Sequence, residues 1–164
     1  MKRLIVSCVL AAAGATLAAQ MPKYGVTVTA EKNVDFAAFR TYSWTSSQPS
    51  PSRAIDGQII AAVDRELSAL GMTKTTSEPG DVLVTYFSLS RTDVDLTAKA
   101  DAQGLLPDYS VGTLVVAFLE PENRRRLLRL RIDRPIEIEA AKLEGAINSA
   151  VAEMFAKYPT RRKK

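Results

Sequence analysis

Histidine is absent from this chain of 164 residues, and cysteine occurs once, at Cys8. Without histidine, the catalytic sites that pair serine or cysteine with an imidazole are excluded, as are zinc sites with histidine ligands. A single cysteine excludes a disulfide bond within the chain. The sequence also lacks a glycine-rich loop with lysine and a glycine-flanked nucleophilic serine. We therefore expect no enzyme active site, no cofactor and no metal site.

What is present is the composition of an ordinary globular protein. Hydrophobic residues make up 46% of the chain and charged residues 24%, with 22 Lys and Arg against 18 Asp and Glu. These values are neither those of a disordered chain nor those of a fibrous one. The length suggests a single domain that can bury a core.

The N-terminus has the pattern of a secretory signal peptide. Lys2 and Arg3 precede an uncharged stretch, residues 4–19, that is rich in Leu, Val and Ala and ends in small residues. Cys8 and the three residues before it also resemble a bacterial lipobox, in which the cysteine becomes acylated. Only four residues separate Arg3 from Cys8, which is short for an apolar region of about 7–15 residues. We predict cleavage near residue 19, with lipidation at Cys8 as the alternative.

Hydrophobic periodicity predicts two helices. The first is expected from about residue 53 to Leu70, with Ser52 as a candidate N-cap and Gly71 as a left-handed stop. Asp64 falls outside its apolar stripe, so its replacement by alanine is expected to cost little stability. The second helix is expected over residues 138–158, where Pro159 ends it. The apolar stripe of the first helix comprises Ile55, Ile59, Val63, Leu67 and Leu70.

The patterns of the remaining segments predict β-strands. Apolar and polar residues alternate over residues 24–29 and 41–44, and β-formers are enriched at residues 72–76 and 81–89. Residues 112–119 and 128–133 read as a later hairpin. The predicted fold is therefore α+β, an antiparallel sheet of about five to six strands with two helices packed on one face, in the order β-β-α-β-β-β-β-α. We divide the chain into a signal peptide (1–19), a single domain (20–159) and a basic tail (160–164).

Several short motifs together resemble a known family. They are Asp35-Phe36, the phenylalanine-arginine-threonine-tyrosine-x-tryptophan run at residues 39–44, and the segments 63–72, 81–86, 112–116 and 154–159. With these motifs the chain resembles the domain of unknown function 4136 family, bacterial envelope proteins that are often lipoproteins. The resemblance covers nearly all of the predicted mature chain and implies an envelope location. It implies no catalytic residues, because none are assigned to that family.

Charged clusters are the other candidate sites. Asp93, Asp95, Asp101 and Asp108 supply oxygen atoms suited to calcium, but their spacing matches no calcium loop, so we expect a solvated loop. The basic runs 124–126 and 161–164 lack interleaved aromatic residues, and we expect solvated charge rather than nucleic-acid binding. Arg129, Arg131 and Asp133 alternate on one strand and mark a possible partner surface.

These patterns lead to one expected role and two alternatives. We expect an exported envelope protein, periplasmic or associated with the outer membrane if lipidated, that acts as a non-catalytic binding or structural module. Its partner would be an envelope protein, a lipid or a wall polymer, and the mature chain contains no predicted transmembrane helix. The alternatives are a hydrolase that uses carboxylates alone and a lipoprotein anchored through Cys8.

Overall fold

The computed structural model describes residues 24–46, 52–76, 79–136 and 140–160. The predicted signal peptide with Cys8, and the basic residues 161–164, lie outside the described residues. Six strands and two helices follow one another along the chain. They are β1 (Gly25–Ala30), β2 (Thr41–Trp44), α1 (Arg53–Ala69), β3 (Thr73–Lys74), β4 (Val82–Val94), β5 (Asp108–Leu119), β6 (Arg126–Pro135) and α2 (Ala140–Phe155).

The strands form one mixed sheet, in the spatial order β1-β6-β5-β4-β2-β3. The β1–β6, β6–β5 and β5–β4 pairs are antiparallel, whereas β2 runs parallel to both β4 and β3. The prediction of a purely antiparallel sheet with consecutive strands paired is therefore wrong at this edge. The reason is the connection through α1, because a helical crossover returns the chain in the same direction and makes a parallel pair.

The core lies between one face of the sheet and the two helices. Ile59, Val63 and Leu67 of α1 are buried, as the periodicity predicted, together with Met154 and Phe155 of α2. They belong to one buried hydrophobic cluster with the inward side chains of the strands. From the sheet this cluster includes Tyr42, Val82, Val84, Tyr86, Leu114, Val116, Phe118, Leu128, Leu130 and Ile132. The opposite face of the sheet, away from α1 and α2, is called the outer face here.

The helix ends agree in part with the sequence signals. Gly71 follows α1 with φ of 84°, the left-handed conformation that glycine adopts without strain. Ser52 is at the N-cap position of α1, but its side chain makes no capping hydrogen bond to the helix. α2 is shorter than predicted, and Tyr158 beyond its end is buried and donates its hydroxyl to the carbonyl oxygen of Phe36 at 3.2 Å.

One glycine permits the parallel pair to form. A Cβ atom added to Gly80, just before β4, would lie 2.6 Å from the Cα atom of Tyr42 in β2. That distance is too short for any side chain, so the two strands approach closely only because residue 80 is glycine. In the part of the chain that the structure describes, no helix has the length and apolar character needed to cross a bilayer.

Candidate functional site

Asp64 lies at the contact between α1 and the parallel edge of the sheet. Its Oδ1 accepts hydrogen bonds from the hydroxyl of Tyr42 at 2.7 Å and from Nε1 of Trp44 at 2.8 Å. Its Oδ2 is 3.0 Å from Nζ of Lys74 in β3. The sequence did not predict these contacts, which form because long side chains from β2 reach the border of the apolar stripe, and they raise the stability cost that we expect for Asp64→Ala. A second pair repeats this arrangement, since the Tyr86 hydroxyl donates to Oδ1 of Asp56 at 2.5 Å.

Hydrogen bonds of Asp81 link the start of β4 to the start of β2. Its Oδ2 accepts hydrogen bonds from the backbone N–H groups of Arg40 at 2.7 Å and Thr41 at 2.9 Å. The hydroxyl of Thr41 accepts in turn from the backbone N–H of Asp81. The bonds from the Arg40 and Thr41 backbones lower the pKa of Asp81, so this carboxylate is ionised at neutral pH. Residues of the motif at 39–44 thus make tertiary contacts to the start of β4 and to α1.

A charged network lies on the outer face of the sheet. Asp133 of β6 is only 7% exposed and accepts from Nε and Nη2 of Arg131 at 2.6 and 2.7 Å. The hydroxyl of Thr113 donates to the same carboxylate at 2.6 Å, and Arg91 is 3.2 Å away. Arg131 is the largest cause of the lowered pKa of Asp133, about 2. Arg129 shares this face and is half-buried. The structure thus places Arg129, Arg131 and Asp133 together, with Asp133 held inside the network.

An apolar cavity of about 370 Å³ opens between the two helices and the inner face of the sheet. Its volume is within the range of small-molecule sites, roughly 300–1,000 Å³. The first turns of both helices contribute to it through Ile55 and Leu143, and Arg134 of β6 is its one charged lining residue among those described. Arg134 also forms an ion pair with Glu153 of α2. The other lining residues are Ser52, Ile59, Ser88, Leu89, Ser90, Gly112, Thr113, Leu114, Ile132, Pro135, Ile136, Ala146, Ile147 and Ala150.

A second recess lies at the opposite end of the sheet and is more polar. It has a volume of about 500 Å³, and its lining includes Asp81, Glu120, Glu122 and Arg125. Arg125 pairs with Glu120 at 3.2 Å, and this contact lowers the pKa of Glu120. Arg125 and Glu120 thus pair with each other, and Asp81 accepts hydrogen bonds from backbone N–H groups.

The candidate calcium ligands do not come together. Asp93 is in β4 and pairs with Arg91 at 2.9 Å, whereas Asp108 is in β5. Asp95 and Asp101 accept hydrogen bonds from backbone N–H groups of their own turns. The described residues contain no group of three or more His, Cys, Asp or Glu side chains that suits a metal ion.

Sequence reasoning missed the cavity and the contacts of Asp64. The cavity is formed where the first turn of α1 meets the end of β6 and the first turn of α2, which lie more than 75 positions further along the chain. The hydrophobic pattern of a single segment does not indicate this cavity, because each residue that lines it fits the pattern of an ordinary core residue. The contacts of Asp64 could have been anticipated from its position beside the buried stripe. An acidic side chain there can accept hydrogen bonds from the hydroxyl of a tyrosine or the indole N–H of a tryptophan on a facing strand.

Comparisons with known proteins bear on the fold and the family. A PDZ domain protein from Parabacteroides distasonis has 16% identity and a TM-score of 0.62, over 85% of this chain and 36% of that one. This chain thus spans about a third of that protein. The PelC dodecamer from Paraburkholderia phytofirmans has 9% identity and a TM-score of 0.57, over 87% of this chain and 100% of that one. At such low identity these similarities show a shared fold alone.

No curated protein matches this sequence. A family model, described as Domain of unknown function (DUF4136), matches residues 26–160. That range contains all of the described strands and helices except the first residue of β1, and it includes every motif that carried the resemblance noted above. The chain therefore belongs to the DUF4136 family.

Proposed function

We propose that this chain is an exported bacterial cell-envelope protein that acts as a non-catalytic binding module, with the apolar cavity as its binding site. The observation that carries the proposal is the cavity itself, about 370 Å³ and bounded by both helices and the sheet. A space of this size lined by aliphatic groups binds apolar ligands through the hydrophobic effect and needs no reactive side chain.

The non-catalytic part of the proposal is supported by the state of the carboxylates. A general acid needs a raised pKa, whereas hydrogen bonds lower the pKa of Asp81 and Asp133. Asp56 and Asp64 accept hydrogen bonds from tyrosine hydroxyls that link α1 to the sheet. These four carboxylates have defined roles in holding the fold together, which favours a binding module over a carboxylate-dependent hydrolase.

Export is supported by the sequence of the N-terminus. Lys2, Arg3 and the apolar residues 4–19 have the order of charge and hydrophobicity that a secretory signal requires. The envelope location that the resemblance in the sequence implies points the same way. Whether Cys8 carries an acyl chain decides between a periplasmic protein and one anchored to a membrane.

A dye-binding experiment tests the cavity as the binding site. N-phenyl-1-naphthylamine is an uncharged apolar dye whose fluorescence rises in apolar surroundings, and we expect the purified protein to bind it at one site. Ala146→Phe places a ring at the cavity wall on an exposed position of α2 and is expected to reduce the dye affinity at least about tenfold. Ala61→Phe, exposed on α1 and away from the cavity, is the matched control. Equal dye binding by both variants would contradict the proposed site.

A structural role is the second candidate, and the β4–β5 hairpin favours it. The last residues of β4, which end at Val94, pair with the first residues of β5, which start at Asp108, and a loop of residues 95–107 joins them. We call residues 92–110 the arm. Val94, Leu96 and Leu105 in this arm are 50%, 65% and 66% exposed. Apolar side chains that are exposed to solvent in this way are typical of contact surfaces. The fold relative PelC forms a dodecamer, which is consistent with assembly of this fold through copies of itself.

Sedimentation velocity tests this second role. If the arm joins copies of the chain, the double variant Leu96→Ser, Leu105→Ser should sediment as a smaller species than the unchanged protein. Ala100→Ser, an exposed position in the same loop, is the control. A monomer at all concentrations for the unchanged protein would exclude self-assembly.

A further inference from the structure

The cavity between the helices and the sheet separates its apolar and polar groups. Its apolar side chains are aliphatic, and no aromatic side chain is among the described residues that line it. The aliphatic walls come from α1, α2 and the strands, with Ile55, Ile59, Leu114, Ile132, Leu143 and Ile147 as the main members. Flexible aliphatic walls without rings fit a hydrocarbon chain better than a flat aromatic ligand, which gains from ring stacking.

Among the described residues that line the cavity, only positive charge occurs. Arg134 is the one charged side chain among the described lining residues, and Glu153, its ion-pair partner, does not line the cavity. Both helices also direct their N-terminal turns toward this end of the sheet, since Ser52 and Leu143 line the cavity. Helix N-termini carry partial positive charge and favour anions. The cavity is therefore complementary to an apolar chain that ends in an anionic group.

The volume limits the chain to one. At roughly 30 Å³ for a group the size of water or methylene, a cavity of about 370 Å³ holds about a dozen such groups. A single medium-length acyl chain has that size, whereas the two long chains of a phospholipid exceed it.

We propose that this cavity binds a medium-chain fatty acid, with its hydrocarbon chain between α1 and α2 and its carboxylate at Arg134. The proposal rests on the binding module proposed above and specifies the ligand class of the same site. The guanidinium of Arg134 can donate two hydrogen bonds to a carboxylate. Arg134 would then select anionic over cationic amphiphiles, and the aliphatic walls would select chain length.

Calorimetric titration with two amphiphiles of equal chain length tests the charge. The probes are dodecanoate and dodecyltrimethylammonium, each below its critical micelle concentration. We expect dodecanoate to bind at least about tenfold more tightly, because only its head group pairs with Arg134. Equal affinities for the two probes, or preference for the cation, would overturn the assignment. Binding of phosphatidylglycerol vesicles in place of dodecanoate would overturn it too.

Two variants that break the same ion pair separate the guanidinium from fold stability. Arg134→Gln removes the charge and is expected to weaken dodecanoate binding about tenfold, and to weaken it more than it weakens the binding of the uncharged N-phenyl-1-naphthylamine. Glu153→Gln breaks the same pair but keeps the guanidinium, and we expect it not to weaken dodecanoate binding. Equal weakening by both variants would show that the ion pair matters only for stability and would overturn the role of Arg134.

The outcomes also distinguish this proposal from the broader one. If the apolar dye binds at the cavity and neither amphiphile does, the fatty-acid assignment fails and the binding module stands. If the dye does not bind either, the proposed function fails with it. Loss of dodecanoate binding in Ala146→Phe and not in Ala61→Phe would locate the acyl chain in the cavity.

Discussion

Asp64 illustrates, at the scale of single residues, how one carboxylate serves several segments of the chain. Its two oxygens accept from Tyr42 and Trp44 of β2 and from Lys74 of β3. The hydroxyl of Tyr42 is buried with its ring, so it has little access to water as an alternative partner. Removal of the acceptor therefore leaves donors unsatisfied, which costs more than the hydrogen bonds contribute.

We predict that Asp64→Ala lowers the free energy of unfolding by about 2–6 kcal/mol, at roughly 1–3 kcal/mol for each of the two partly buried donors left without an acceptor. Lys74→Ala removes only the solvent-exposed ion pair and should cost under about 1 kcal/mol. Urea melts of the two variants measure the difference. A loss for Asp64→Ala no greater than that for Lys74→Ala would show that the tyrosine and tryptophan contacts contribute nothing.

Asp133 makes stability depend on pH. Its pKa is about 2 in the folded protein, chiefly because of Arg131, against about 3.9 in an unfolded chain. A lowered folded-state pKa stabilises the protein above the unfolded value, and the stabilisation is lost as the pH falls through the folded value. The contribution, about 2 kcal/mol at neutral pH, should therefore decline between about pH 4 and pH 2.

Asp133→Asn should accordingly be less stable than the unchanged protein by about 2 kcal/mol at pH 7 and by much less at pH 2. Urea melts at several pH values measure this difference. Thr29→Ser, at an exposed position of β1 without an ionisable group, is the control and should show no such trend. A difference that stays constant from pH 5 to pH 2 would rule out ionisation of Asp133 as its source.

At the scale of elements, the parallel edge of the sheet depends on a close approach. β2 pairs with β4 on one side and with β3 on the other, and α1 makes the crossover between them. Gly80 lies against the backbone of Tyr42 at this edge. The buried stripe of α1 packs on the inner face of the same strands.

The same substitution should have opposite effects at two glycines. Gly80→Ala forces β2 and β4 apart and is expected to destabilise the protein by about 2–3 kcal/mol, as overpacking does. Gly57→Ala, in the second turn of α1 with open space around the added Cβ, should stabilise it by about 0.5–1 kcal/mol. Thermal melts of the two variants provide the measurement. Similar shifts in Tm would contradict the close approach at β2.

At the scale of the whole molecule, the N-terminal sequence predicts where the protein is located. Expressed with its own N-terminus in a Gram-negative host, the protein should accumulate in the periplasm without fatty acid and lack about 18 or 19 residues. Intact-mass spectrometry of the periplasmic fraction measures the cleavage site. Cys8→Ser should leave location and mature mass unchanged. An acylated species that begins at Cys8 would instead establish a lipoprotein.

Much of the fold could be predicted, because its local signals are strong. The apolar stripe of α1 and the glycine after it predict a helix from about residue 53 to Leu70. The helix in the structure is Arg53–Ala69, close to that range. β4 was predicted to end at Leu89 but continues to Val94, since its last residues pair with β5 although they read as a polar loop. Pairing with a neighbouring strand supplies order there that residue type alone does not indicate.

Composition and local pattern by themselves determined the two helices, most strands, the buried stripe of α1 and the absence of histidine and disulfide chemistry. These features depend on residue type and short spacing, which a single segment contains. The tertiary structure alone decided the parallel pairing of β2, the attachment of Asp64 to β2 and the apolar cavity. Each of these depends on which distant segments meet, and the free energy of such contacts is set by geometry between elements and not by the pattern within one of them.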